Sequence, residues 1–201
     1  MSWYSKVVWS EGMFLRPQHF QQQDRYLEAF IRQSCGTLHP YVWGITELTL
    51  DREALALGKI AITMARGLLP DGTPFDIPDR DPPPTSLDID TDVRNTRVML
   101  ALPLRRTGMA DVERGEQQDT ATRYRAVARE VRDNNVDTAN NSAFVEIGEP
   151  RLRLLLDTKD LGDYTGIGIT RVLEKQPDQR VVLDGEYLPP CLDCRGVPAL
   201  N

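Results

Sequence analysis

A chain of 201 residues, 40% of them hydrophobic, can build one large domain or two small ones around a real core. Its formal net charge of −6 argues against a general nucleic-acid binder and against peripheral binding to anionic lipid, since both need a basic surface. No apolar run approaches the roughly 20 residues that span a bilayer, and residues 1–6 lack the apolar centre of a signal peptide, so the chain reads as cytoplasmic without direct membrane insertion. Cys35, Cys191 and Cys194 are too few, and odd in number, for a disulfide framework.

The first stretch is the most informative. Val7-Val8-Trp9 is extended and apolar, and Gly12 supplies a turn. Pro17 suits the first position of a helix, where its missing N–H is not needed. Residues 18–34 carry Phe20, Tyr26, Leu27, Phe30 and Ile31 near helical spacing, with Gly36 as the stop and Pro40 as a bar to continuation. Gln21, Gln22 and Gln23 donate and accept hydrogen bonds without charge, which suits a polar contact surface better than a catalytic pocket.

Residues 41–50 are rich in aromatic and β-branched side chains and read as a strand. Residues 51–57 make one or two helical turns capped by Asp51 and ended by Gly58. Residues 60–69 and 73–77 form a hairpin around Pro70-Asp71-Gly72, where proline presets φ and glycine accepts a positive one. Residues 79–92, with Pro82-Pro83-Pro84 and several aspartates, read as a loop. Residues 98–102 form a nearly uninterrupted apolar run, expected of a strand covered on both faces. Residues 105–120 read as a surface excursion.

Residues 122–134 fit either period. Tyr124, Val127, Ala128 and Val131 match a helix, while Arg123, Arg125, Val127, Arg129 and Val131 match a strand face. Asn134-Asn135 and Asn140-Asn141 bracket a turn. Further strands are predicted over 144–147, 151–156, 166–173 and 180–183, with Leu152 and Leu154 inward and Arg151 and Arg153 facing water. Many short strands at even spacing suggest a β-sandwich or barrel.

Chemistry is sparse. A metal site could combine His19 and His39 with Glu11 or Asp24, but no His-Glu-x-x-His spacing exists, and local structural roles for both histidines are preferred. One Cys191-Leu192-Asp193-Cys194 pair cannot fill a tetrahedral zinc site, and it reads as two ordinary thiols. Gly162, Gly166 and Gly168 do not form a phosphate loop, and Asp88, Asp90 and Asp92 lack the rest of a calcium loop. No nucleophile elbow is present. Trp3, Tyr4 and Trp9 stand as either core or contact residues.

One resemblance organises these readings. Trp9, Glu11-Gly12-Met13 and Pro17-Gln18-His19-Phe20-Gln21-Gln22 resemble the N-terminal signature of the TssK (ImpJ/VasE) family of type VI secretion system baseplate subunits. Weaker likeness continues through residues 41–44, 67–72, 151–157 and 187–191 and fades between 79 and 120. The resemblance implies a mainly β chain, a β-sandwich shoulder like that of siphophage receptor-binding proteins, with an N-terminal helix. Residues 1–190 would be the shoulder, and 191–201 the start of a linker to a helical neck and C-terminal head. It further implies strand over 122–134 and a non-enzymatic, homotrimeric, cytoplasmic adaptor without cofactor. The shoulder would dock on the TssF–TssG wedge, and the head would face TssL and TssM. The expected contact has Trp9, Met13, Phe14, Leu15 and Phe20 at its apolar centre and Gln21, Gln22 and Gln23 as hydrogen-bonding partners. The rivals are a carbohydrate- or receptor-binding module and a small metal-dependent hydrolase using His19, Glu11 and His39.

Overall fold

The structure is a computed structural model that describes residues 3–39, 41–115, 122–133, 142–157 and 161–194. The expected asparagine-bracketed turn, the last part of the 105–120 excursion and most of the expected linker lie outside the described residues.

Helix α1 (Pro17–Leu38) begins with proline at its first turn, as its sequence requires. It runs two residues past Gly36, the expected stop. Nothing at Gly36 demands a left-handed conformation, so the helix continues until His39 (φ −147°, ψ 132°). His39 precedes Pro40, and a residue before proline is pushed out of the helical region. Its N–H closes the helix on the Cys35 carbonyl at 3.1 Å.

Strand β1 (Gly44–Leu50) starts later than expected, leaving residues 41–43 outside it. Gly44 is needed there: its φ is +153°, and a Cβ would sit 3.0 Å from the backbone of Cys191 and Leu192. Those two segments pair through Ile45, which donates to the Pro190 carbonyl and accepts from the Leu192 N–H at 2.9 and 2.8 Å. Helix α2 (Arg52–Ala56) is capped as predicted, with Asp51 Oδ1 accepting from the N–H groups of Glu53 and Ala54 at 2.8 and 3.2 Å. Then come β2 (Lys59–Ile60), β3 (Ile62–Leu68) and β4 (Pro74–Ile77). The β3–β4 hairpin forms around Gly72, whose φ is +81°. The stretch read as a loop contains a short strand, β5 (Leu87–Asp88), because β2 offers it a partner.

The remaining strands are β6 (Thr96–Pro103), β7 (Val112–Glu113), β8 (Tyr124–Arg132), β9 (Ser142–Pro150), β10 (Arg153–Leu156), β11 (Tyr164–Lys175) and β12 (Val181–Leu183). A sheet ordered β1-β3-β4 and a second ordered β10-β6-β11-β12 carry the body. Ile45, Ala65, Phe75 and Ile77 from the first meet Val98, Leu100, Leu102, Leu154, Ile167 and Val172 from the second in one buried cluster. That is a β-sandwich core, and β6 holds the expected central place in it.

The ambiguous segment is strand β8. It pairs antiparallel with β9 from Tyr124↔Pro150 to Arg132↔Ser142, and this partner decides between the two periods. The pair leaves the body as an arm, and residues 142–148 of β9 are all exposed. Arg151 does not face water as expected. Its side chain is only 12% exposed and bonds to Glu113 at 2.7 Å, while Leu152 and Leu154 are buried as predicted.

Arg123 roots the arm. Its buried guanidinium donates to the Pro103 carbonyl at 2.7 Å, to Asp71 Oδ2 at 2.6 Å and to Thr73 Oγ1. Burial raises the Asp71 carboxyl, but the Arg123 charge and hydrogen bonds from Thr73 and Arg123 outweigh it and leave the pKa below its ordinary 3.8. A depressed folded-state pKa gives stability that is full above the unfolded value and is lost as pH falls through the folded one. Chemical denaturation of wild type and Asp71→Asn should therefore show a loss below about pH 4 that is smaller in the variant. Arg123→Ala strands the Asp71 carboxylate and should cost about 3 kcal/mol or more at neutral pH.

Candidate functional site

Gln22 ties the start of the N-terminal segment onto α1. Gln22 Nε2 donates to the carbonyls of Trp3 and Ser5 at 3.2 and 2.7 Å. Its Oε1 accepts from Arg25 Nη2 at 2.8 Å, and the Arg25 guanidinium lies 4.3 Å from the Trp3 ring centroid. Trp3 is thus neither core nor free contact; it is half of an intrachain stack. A turn at Glu11-Gly12 follows, with the Met13 N–H donating to the Ser10 carbonyl at 3.2 Å. His19 Nδ1 accepts from the Arg16 N–H at 3.0 Å, a helix-start role.

The expected contact residues divide accordingly. Trp9 lies against His19 and Phe20, with ring centroids 6.4 and 6.3 Å away. Trp9 is 48% exposed, Phe20 and Leu15 are exposed, and Phe14 is 80% exposed. Met13 is half-buried. Gln21 faces solvent, while the Gln22 amide is already committed within the chain. Gln23 Oε1 is shielded from solvent and accepts no hydrogen bond from the described residues.

Helix α1 is turned inside out. Ala29 is its one buried described residue. Glu28 pairs with Arg105, and Arg32 lies near Gly72. Gln22, Arg25, Glu28 and Arg32 therefore meet the rest of the chain. Phe20, Leu27, Ile31 and Leu38 are exposed, up to 86% at Leu38. Phe20 precedes Ala29 by nine residues, about two and a half turns, which puts this stripe on the far side of the helix from the body. Leu27, Ile31 and Leu38 were not among the expected contact residues. Their seven- and four-residue spacing was legible, but spacing cannot say which face turns inward.

Elsewhere the chemistry stays sparse. His39 Nδ1 accepts from the Tyr41 N–H at 3.2 Å, a local role. Among the described residues no three His, Cys, Asp or Glu side chains gather as a metal site. Burial, then neighbouring Cys194, pushes the Cys191 thiol up and keeps it protonated. A cleft of about 960 Å³ between Pro82-Pro83-Pro84 and β10 holds Arg125, Arg151, Arg153 and Glu149. Burial raises Glu149, but hydrogen bonds from Arg125 and Arg129 outweigh it and hold its pKa below the ordinary value, the reverse of a general acid's tuning. No described helix is long and apolar enough to cross a membrane. Exposed aromatic rings concentrate in the N-terminal quarter, with Phe144 on the arm as the described exception.

The chain is thus a β-sandwich whose N-terminal helix turns its apolar stripe outward. The chain matches over residues 19–201 the family described as bacterial type VI secretion, VC_A0110, EvfL, ImpJ, VasE, and it belongs to that family. It is 50% identical over 201 residues to the type VI secretion system baseplate component TssK1 of Pseudomonas aeruginosa, which covers all of this chain and 45% of that protein. A crystal structure of TssK superposes with a TM-score of 0.90 at 42% identity, covering 98% of this chain and 44% of that one. A chain of the TssK-TssF-TssG baseplate subcomplex, solved by cryo-electron microscopy, shares the fold with a TM-score of 0.85 at 22% identity, covering 98% and 65%. The present chain thus spans less than half of the curated relative.

Gln22→Ala should loosen residues 3–5 from α1, with faster proteolysis near that end, while Trp9 stays against His19 and Phe20. Global stability should fall by only about 1 kcal/mol, because the lost bonds are at the surface.

Proposed function

We propose that this chain is the baseplate-docking shoulder of a type VI secretion adaptor that fixes its protein to the TssF–TssG wedge. The outward apolar surface from Trp9 through α1 carries the reading, because a helix that turns its polar side to its own body leaves its apolar side for another protein. Support comes from the TssK relative, named as a baseplate component, and from a neighbour described in a TssK-TssF-TssG subcomplex. The adaptor is non-enzymatic, cytoplasmic and homotrimeric. Residues 1–190 form the shoulder, residues 191–201 open the linker, and the parts beyond reach TssL and TssM. At the docking centre Trp9, Met13, Phe14, Leu15 and Phe20 supply apolar contact, and Gln21 and Gln23 supply hydrogen bonds.

Trp9→Ala with Phe14→Ala should weaken capture of TssF–TssG by on the order of 100-fold in a binding titration, as loss of aromatic anchors does. The melting temperature should hold, since both rings are substantially exposed. A folded double variant that binds like wild type would move the contact elsewhere.

A further inference from the structure

The outer edge of β10 is open. The Asp157 N–H donates to the Arg97 carbonyl at 2.8 Å, and the register from Leu156↔Val98 to Arg153↔Ala101 continues from that bond. Bonded positions alternate along an antiparallel pair, so Arg153 and Leu155 bond to β6, while the main-chain N–H and C=O groups of Leu154 and Leu156 point away from it. β10 ends its sheet, and no main-chain group of the described residues meets Leu154 or Leu156 on that side. The first sheet treats its edges differently. β1 is met at Ile45 by residues 190–192. On β4 the Asp76 N–H donates to Asp81 Oδ2 at 2.8 Å, and the Pro74 carbonyl accepts from Arg80 at 2.6 Å. An open edge is a template for another strand.

The surroundings of β10 keep the edge open and give it a charge. The cleft of about 960 Å³ separates it from Pro82-Pro83-Pro84, and proline has no N–H to donate to a strand. Arg125, Arg151 and Arg153 line this cleft with one carboxylate, Glu149. Glu149 is shared between Arg125 and Arg129, and Arg151 is paired with Glu113. Four arginines against two glutamates leave the cleft positive on a chain of net charge −6.

We propose that the β10 edge and this cleft bind an extended, acidic segment of a partner protein, which adds to the sheet beside β10. Main-chain bonds to Leu154 and Leu156 hold the segment as a strand, and its carboxylates meet the cleft arginines. The site shares no lining residue with the surface from Trp9 through α1, so it stands apart from the adaptor reading.

An end-blocked synthetic peptide of alternating valine and glutamate, followed by fluorescence anisotropy, tests this on the intact chain. It should bind with a dissociation constant on the order of 100 µM, as a short strand contact with charge-assisted bonds does. Glutamine in place of its glutamates should weaken binding about tenfold or more. Methylating one alternating set of peptide amide nitrogens should abolish binding and methylating the other set should leave it, because only every second N–H of a strand faces its neighbour. Amide hydrogen exchange reads the site directly. At about ten times the dissociation constant, exchange at Leu154 and Leu156 should slow about tenfold, with Arg153 and Leu155 little changed because they already bond to β6. Arg125→Ala with Arg153→Ala should weaken the glutamate peptide about tenfold and leave the glutamine peptide unaffected. Trp9→Ala with Phe14→Ala should bind the peptide like wild type. Absence of binding at millimolar peptide, equal binding by the two methylated peptides, slowed exchange away from Leu154 and Leu156, or binding lost in the Trp9 and Phe14 variant would each overturn the proposal. So would protection of the Leu154 and Leu156 amides before peptide is added, which would show the edge covered by the chain itself or by a second copy.

Discussion

A guanidinium with almost no access to water holds the arm to the body. Arg123 reaches the end of β6 through the Pro103 carbonyl and the β3–β4 turn through Asp71 and Thr73. Its own carbonyl accepts from the Arg151 N–H at 3.0 Å, which ties in the segment entering β10. Three segments thus converge on one residue, two through its side chain and one through its main-chain carbonyl. Arginine suits the place because its planar fork offers several fixed donors at once; a lysine ammonium has three donors on a flexible stem and could not hold the same directions together. Removing the guanidinium would loosen the arm's root and leave a largely desolvated carboxylate behind.

The same division runs through the rest of the chain. Apolar burial is concentrated in the sandwich, where both sheets contribute to one cluster. The elements outside it are attached largely by charge and hydrogen bonds. Arg105 bridges Glu28 of α1 and Asp111, and Arg151 meets Glu113 beside the arm's root. Gln22 and Arg25 hold the N-terminal segment. Burial raises the desolvation cost at Arg105, yet hydrogen bonding to Glu28 and the charges of Glu28 and Asp111 outweigh it and strengthen its hold on the proton. Polar attachment of the outer elements leaves apolar side chains of α1 and the arm exposed.

Much of this was legible from residues alone. Pro17, Asp51 and Pro70-Asp71-Gly72 act locally, and the α1 start, the α2 cap and the hairpin appear where those residues put them. The run 98–102 could be read as a doubly covered strand because the cause, continuous apolar side chains, lies within the segment. Errors fell where the cause lies elsewhere. Gly36 permits a helix end but does not force one, and the stop came from the proline beyond it. Leu87-Asp88 became a strand because Lys59-Ile60 lay alongside. Arg151 turned inward because Glu113 awaited it.

By itself the sequence determined the family of the chain and the apolar character of its N-terminal stretch, since these rest on residue identity, local spacing and the signature around Trp9 to Gln22. Tertiary structure decided three other things. It made β8 a strand, because β9 pairs along its length. It spent Gln22 within the chain, because the first turn of the N-terminal segment lies within its reach. It faced the α1 stripe outward, because Glu28 and Arg32 found their neighbours on the body and left Phe20, Leu27, Ile31 and Leu38 exposed. Periodicity tells which residues share a face of a helix; only the partners of the opposite face tell which way it points.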